Sequence, residues 1–134
     1  MELACPGCVG VKRAEDLIAL QLAREFKRLV YRLVASSPDA KSDFRFRSQL
    51  FDAVASTEAN IVEGFHRRTA AQFDQFLSYA RGSHAEAMTR LQDGIDRGYF
   101  RAKDCEAALM LGKRCGMAIL RLSQSLEPFI RRNK

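Results

Sequence analysis

The chain has no tryptophan, three prolines and eight glycines among 134 residues. So few breakers favour helix over a turn-rich all-β design. No stretch approaches the roughly 18 consecutive apolar residues of a membrane span. The first residues also lack a basic segment followed by an apolar run and a cleavage site. These absences lead to the expectation of a cytoplasmic protein without membrane contact. A glycine-rich phosphate loop, a Walker sequence, a G-x-S-x-G elbow and a dinucleotide fingerprint are all missing. The expectation is therefore a protein that is not an enzyme and carries no cofactor.

What is present is an ordinary globular composition, 47% hydrophobic and 28% charged in 15.1 kDa. A chain of this length folds as one domain and buries roughly two-thirds of the surface its unfolded form exposes. The net charge of +6 and the pI near 9.5 suit attraction to RNA, DNA or acidic protein surfaces. Unclustered charge of that size is also compatible with simple solubility.

Residues 1–12 contain Pro6, Gly7 and Gly10, show no period, and read as a flexible leader. Residues 13–134 read as a single bundle domain. A first helix is expected from about Arg13 to Ala35, with Ile18, Leu22, Phe26, Leu29, Val30 and Leu33 on one side. Residues 36–43, rich in Ser, Asp and Pro, read as a turn in which Pro38 discourages helix before it. A second helix follows from about Asp43 to Phe65, its inner side marked by Phe46, Leu50, Val54, Thr57, Ile61 and Phe65. The Thr57 hydroxyl is expected to bond a carbonyl one turn earlier.

Gly64 is expected to end that helix in the left-handed conformation. Thr69 and Gln72 form a capping box for a third helix, whose inner side carries Phe73, Phe76, Leu77, Ala80, His84, Ala87, Leu91 and Ile95. Gly98 is its natural stop. In the last helix Cys105, Ala108, Gly112, Cys115, Ile119, Leu122, Leu126 and Phe129 alternate by three and four, the narrow seam of a bundle. Four such helices with short turns pack most simply as an all-α, antiparallel up-down-up-down four-helix bundle.

The candidates for chemistry are few. Cys5 and Cys8 make a CxxC, which is half of many zinc sites, but no second half has matching spacing. Cys105 and Cys115 lie ten residues apart on one helix, about 15 Å along its axis, too far to bridge and fit for packing as reduced thiols. Glu63 and His66 match one Glu-x-x-His, but a di-metal bundle needs two copies, and Arg81 stands three residues before His84. No metal site is expected, and His84 reads as a hydrogen-bonded core histidine. Glu86 with Arg90 and Asp93 with Arg97 have the spacing of surface ion pairs.

The basic residues carry more information. Arg24, Arg28 and Arg32 recur every four residues and are expected to point away from the apolar side, with Lys27 and Tyr31 flanking them. Arg67 and Arg68 add charge after the second helix, and Arg131, Arg132 and Lys134 near the end of the chain. Three readings of the stripe stand together: a solvated face, a phosphate-tracking surface, or one side of a charged subunit contact. The acids Glu86, Asp93 and Asp96 offer a matching row for the last. Ala108, Gly112 and Gly116, four apart, are expected to leave a shallow groove, and Met110, Met117 and Leu120 lie beyond the seam. Together they form an expected homo-oligomer interface.

The run from Phe46 to Phe100, with S-Q-L at 48–50, A-N-I-V-E-G-F at 59–65, R-R at 67–68 and G-Y-F at 98–100, resembles a known family. Its members are the small four-helix-bundle proteins encoded by intervening sequences in bacterial large-subunit ribosomal RNA genes. The likeness covers about residues 15–130. It implies up-down bundles assembled as ring-shaped homopentamers. Accessory variability determinant proteins of diversity-generating retroelements are similar, and that likeness implies a ring that binds nucleic acid and a reverse transcriptase through basic surfaces. Carried over, it points to Arg67 and Arg68 for nucleic acid, and to Asn60 and Glu63 as a polar packing cluster between helices. His66 stands where the pattern usually shows Gly, and the C-P-G-C leader is not part of it. The resulting expectation is an RNA- or DNA-binding accessory factor using Arg24, Lys27, Arg28, Arg32, Arg67 and Arg68. The alternative is a protein interaction scaffold without direct nucleic-acid contact.

Overall fold

A computed structural model describes residues 11–132, apart from the Arg132 side chain. Residues 1–10 of the leader, with Cys5 and Cys8, and Lys134 lie outside the described residues. Most of those described are helical, and none lies in a strand. A 3-10 turn at Ala14–Asp16 precedes α1 (Ile18–Ala35), a short α2 (Pro38–Ser42), α3 (Phe44–Phe65), α4 (Ala70–Asp96) and α5 (Ala102–Arg132). The four long helices, joined by short turns, match the sequence expectation in number and place.

Helix α1 starts at Ile18 rather than near Arg13. Arg13 is extended and makes no side-chain cap, so the chain first turns through a 3-10 segment that buries Ala14 and Leu17. That entry puts Leu17 and Ala19 inside and leaves Ile18, an expected core residue, 66% exposed. Residues 36–43 are likewise more ordered than a plain turn. The Ser37 hydroxyl accepts the Ala40 amide at 3.2 Å, and Pro38 takes the first helical position, where its missing N–H leaves no bond unmade. Ser37 just before the proline is extended, as expected, and Pro38 itself starts a short helix.

Asp43 caps α3 by accepting the Phe46 amide at 3.1 Å. Gly64 does not end that helix, which runs on to Phe65, and Gly98 is the glycine with positive φ (79°) among the described residues. Gly64 serves a close approach instead: a Cβ there would lie 2.9 Å from both Phe73 Cδ1 and Phe76 Cβ. The cap at Thr69 forms, its hydroxyl accepting the Gln72 amide at 3.1 Å. The return bond of the box is displaced, because Gln72 Oε1 accepts from the Arg68 amide (3.3 Å) instead of that of Thr69. At the other end of α4, Gly98 donates to Ile95 O and Tyr99 to Gly94 O, both at 2.9 Å, a left-handed glycine closure as expected.

Long-range packing joins α3 to α4, α4 to α5, α5 to α1 and α1 to α3, a closed circuit around one core. Phe26, Leu50, Ile61, Phe73, Leu77, Leu91, Ile119 and Leu126 are fully buried there, each contributing about 1.5–3 kcal/mol relative to exposure. The seam of α5 is inward from Cys105 to Leu126, with Phe129 half-buried. Thr57 Oγ1 donates to Ala53 O at 2.9 Å, as its spacing predicts. Among the described residues no helix is long and apolar enough to cross a membrane.

Candidate nucleic-acid interface

The basic row of α1 divides into two pairs. Arg24 and Lys27 face α3, where one carboxylate, Glu58, takes both: Arg24 Nε lies 2.7 Å from Oε2, and Lys27 Nζ bonds Oε1. Burial pushes the Glu58 carboxyl up, but the hydrogen bonds from Lys27 and Arg24 outweigh it and hold it below the usual glutamate value. Tyr31 also turns to α3, edge-on to Phe51 at 4.7 Å. The expectation that Arg24 and Lys27 stand free on an outer face is thus corrected. A single helical wheel shows which side is apolar but not that a neighbour's acid reaches its flank.

Arg28 and Arg32 remain exposed, without an ion pair among the described residues. Arg32 lines a cavity of about 650 Å³ with Leu29 and Leu33 of α1, Tyr99, and Ala107 and Ala108 of α5. Arg121 of α5 lines a smaller cavity of about 360 Å³ with Ile18 and Ala19 at the start of α1. Arg114, one heptad before Arg121, lies on the same side of α5 and is also exposed and unpaired. Sequence reasoning missed these two. Their seven-residue spacing beside the Cys105–Leu126 seam was the available signal.

At the α3–α4 turn, Arg67 is ion-paired with Glu63, and its guanidinium lies over the Phe76 ring, 4.6 Å from the centroid. Arg68 is exposed, with no ion pair to its side chain among the described residues. The expected Asn60–Glu63 cluster is also rearranged. Asn60 Nδ2 donates to Ser56 O at 2.8 Å, Ser56 and Ser83 share a 2.8 Å bond between α3 and α4, and Glu63 stays outside. Near the end of the chain Arg131 pairs with Glu127 at 2.6 Å. The acidic row of α4 is largely engaged at home, Asp93 with Arg97 at 2.8 Å and Glu86 with Arg90 at 3.9 Å.

The expected oligomer set separates as well. Ala108 and Gly112 are buried, and the space over Gly112 is filled by Met88 and Phe26 of the same chain. Gly116 faces the His84 ring, and Leu120 is half-buried. The groove read from small residues is occupied within the subunit. Met110 and Met117 stand outside, 68% and 47% exposed.

His84 is a core histidine, its Nε2 2.6 Å from Gly112 O and its ring edge-on to Phe26 at 5.2 Å. That contact makes Nε2–H the donor and leaves Nδ1 buried without a partner. Burial lowers its pKa, against the opposing pull of the Gly112 bond. The thiols of Cys105 and Cys115 are free and buried, and burial pushes Cys115 up to about 12. Glu63 and His66 are both exposed at the end of α3. Among the described residues, no group of three or more His, Cys, Asp or Glu is placed to hold a metal ion.

Fold and surface together define a small all-helical protein with cations left unpaired on part of its surface and no assembled group of metal ligands among the described residues. A family model, 23S rRNA-intervening sequence protein, matches residues 15–119, and the chain belongs to that family. No curated protein matches the chain.

Proposed function

We propose that the protein is an up-down-up-down bundle that assembles with copies of itself and binds RNA or DNA through phosphate contacts, as a binding protein and not an enzyme. The opposed order of contacts supports the arrangement. Gly64 meets Phe73 while Gly94 meets Phe46, and Arg24 meets Glu58 while Tyr31 meets Phe51. A ring of five subunits is what the family resemblance implies.

The observation that carries the nucleic-acid reading is the set Arg28, Arg32, Arg114 and Arg121. All four are exposed on two helices that pack together, and no acid among the described residues is paired with them. Guanidinium groups left without a carboxylate are available to phosphate oxygens and release bound counterions when they engage. Four contacts to a single strand predict a fall of about fiftyfold in affinity for a fourfold rise in salt. Reversing Arg28 and Arg114 to Glu should flatten that dependence and weaken binding to all sequences about equally. An affinity for a generic RNA that hardly responds to salt would reject the reading. Light scattering with and without nuclease tests self-assembly and co-purifying nucleic acid together.

A second reading, a scaffold that docks a protein partner, is favoured by the exposure of Met110 and Met117 on the same helix. A complex that survives nuclease treatment would support it.

A further inference from the structure

Arg67 is badly placed for phosphate and well placed for something else. Its charge is already matched by Glu63, one turn back in α3. Its guanidinium sits over Phe76, the central carbon 4.6 Å from the ring centroid, with the side chain 41% exposed. The ion pair and the ring together hold it in place, and a weakly hydrated planar cation held this way offers a stacking face.

Beside it, Phe76 stands edge-on to Tyr79, centroids 5.6 Å apart with the planes at 86°. Tyr79 is 51% exposed and takes no part in the core. Gly82, three residues on and therefore its neighbour on the helix surface, has nothing within 4 Å of where a Cβ would sit, so no side chain lies over that position. Arg68, unpaired and next in sequence to Arg67, supplies a cation at the edge.

We propose that the part-exposed guanidinium of Arg67 and the ring of Tyr79 form a stacking platform for the bases of single-stranded nucleic acid, with Arg68 holding the adjoining phosphate. The proposal rests on the nucleic-acid reading above and narrows it to single strands. Bases in a duplex are stacked on one another and cannot offer a face to a side chain, whereas unpaired bases stack readily on aromatic rings and guanidinium planes.

The test compares three probes on the full chain by fluorescence anisotropy: a short single-stranded RNA, the same length and charge with abasic sites, and the duplex. Stacking predicts that the abasic strand binds about tenfold more weakly than the intact one. Tyr79→Ala and Arg67→Lys should each erode that difference without changing the salt slope, and Tyr79→Phe should restore it. Arg68→Gln should lower the slope by about one. Should Tyr79→Ala fail to fold, the intact-to-abasic comparison in the native protein and the Tyr79→Phe variant still decide. Equal affinity for intact and abasic strands, or tighter binding of the duplex, would overturn the platform while leaving phosphate binding in place. Absence of binding to all three probes would remove both.

Discussion

The α3–α4 pair and the α1–α5 pair treat small residues and charges in opposite ways. Between α3 and α4, Gly64 admits Phe73 and Phe76, Gly94 admits Phe46 and Phe100, and a serine pair bridges the helices. Nearby cations are matched at home: Arg67 by Glu63, Arg90 by Glu86, Arg97 by Asp93. Between α1 and α5 the outer seam is looser, leaving two cavities lined from both helices. There Arg28, Arg32, Arg114 and Arg121 keep their charge unmatched. The tight seam thus holds most of its neighbouring cations in ion pairs, Arg68 excepted, whereas the open one leaves four arginines for an external partner.

The largest expected effect tests the tight seam. A Cβ at Gly94 would sit 2.5 Å from Phe100 and 2.8 Å from Phe46, with aromatic rings on both sides that cannot swing away. Gly94→Ala should therefore cost about 1–3 kcal/mol by urea or thermal melting. Gly82→Ala, with open space around it, should instead stabilise the helix by up to about 1 kcal/mol. Equal effects at the two glycines would abolish the distinction.

A middle-sized effect should come from Glu58→Gln, which removes the acid shared by Arg24 and Lys27. Loss of these part-buried charge-assisted bonds should cost about 1–2 kcal/mol. Under the proposed function it also frees two cations beside Arg28, so RNA affinity should rise and the salt slope steepen. A variant that binds less RNA would show that the Arg24–Lys27 flank is no part of the surface.

The smallest effect concerns pH. Burial favours neutral His84 in the fold, so the unfolded chain binds the extra proton first. The stability this contributes is present above the ordinary histidine pKa of 6.5 and lost as pH falls below it. Asp43 and Glu58 are lowered as well, by the Tyr99 and Phe46 hydrogen bonds for Asp43 and, against its burial, the Lys27 and Arg24 bonds for Glu58. Their stability is lost only near and below their ordinary values of 3.8 and 4.5. Melting between pH 7.5 and 5.5 therefore reads His84, and the fall should vanish in His84→Leu.

The periodic apolar positions of all four long helices, the Thr57 back-bond, the Gly98 stop and the core placement of His84 were legible in the sequence. Each depends on local spacing or on a residue's own chemistry. Gly64 was not, because a glycine near a helix end looks the same whether it reverses the chain or lets another helix approach. Pro38 shows the same ambiguity between ending one helix and starting the next. The basic stripe was legible as composition but not as a site, since Glu58 lies 31 and 34 positions from its partners.

By itself, then, the sequence determined the helices, their inner faces and an excess of positive charge, because periodicity and net charge are properties of the chain alone. Tertiary packing decided which arginines stay free and which small residues are already covered. Those outcomes depend on which side chains arrive from neighbouring helices, and contacts across tens of residues leave no local trace.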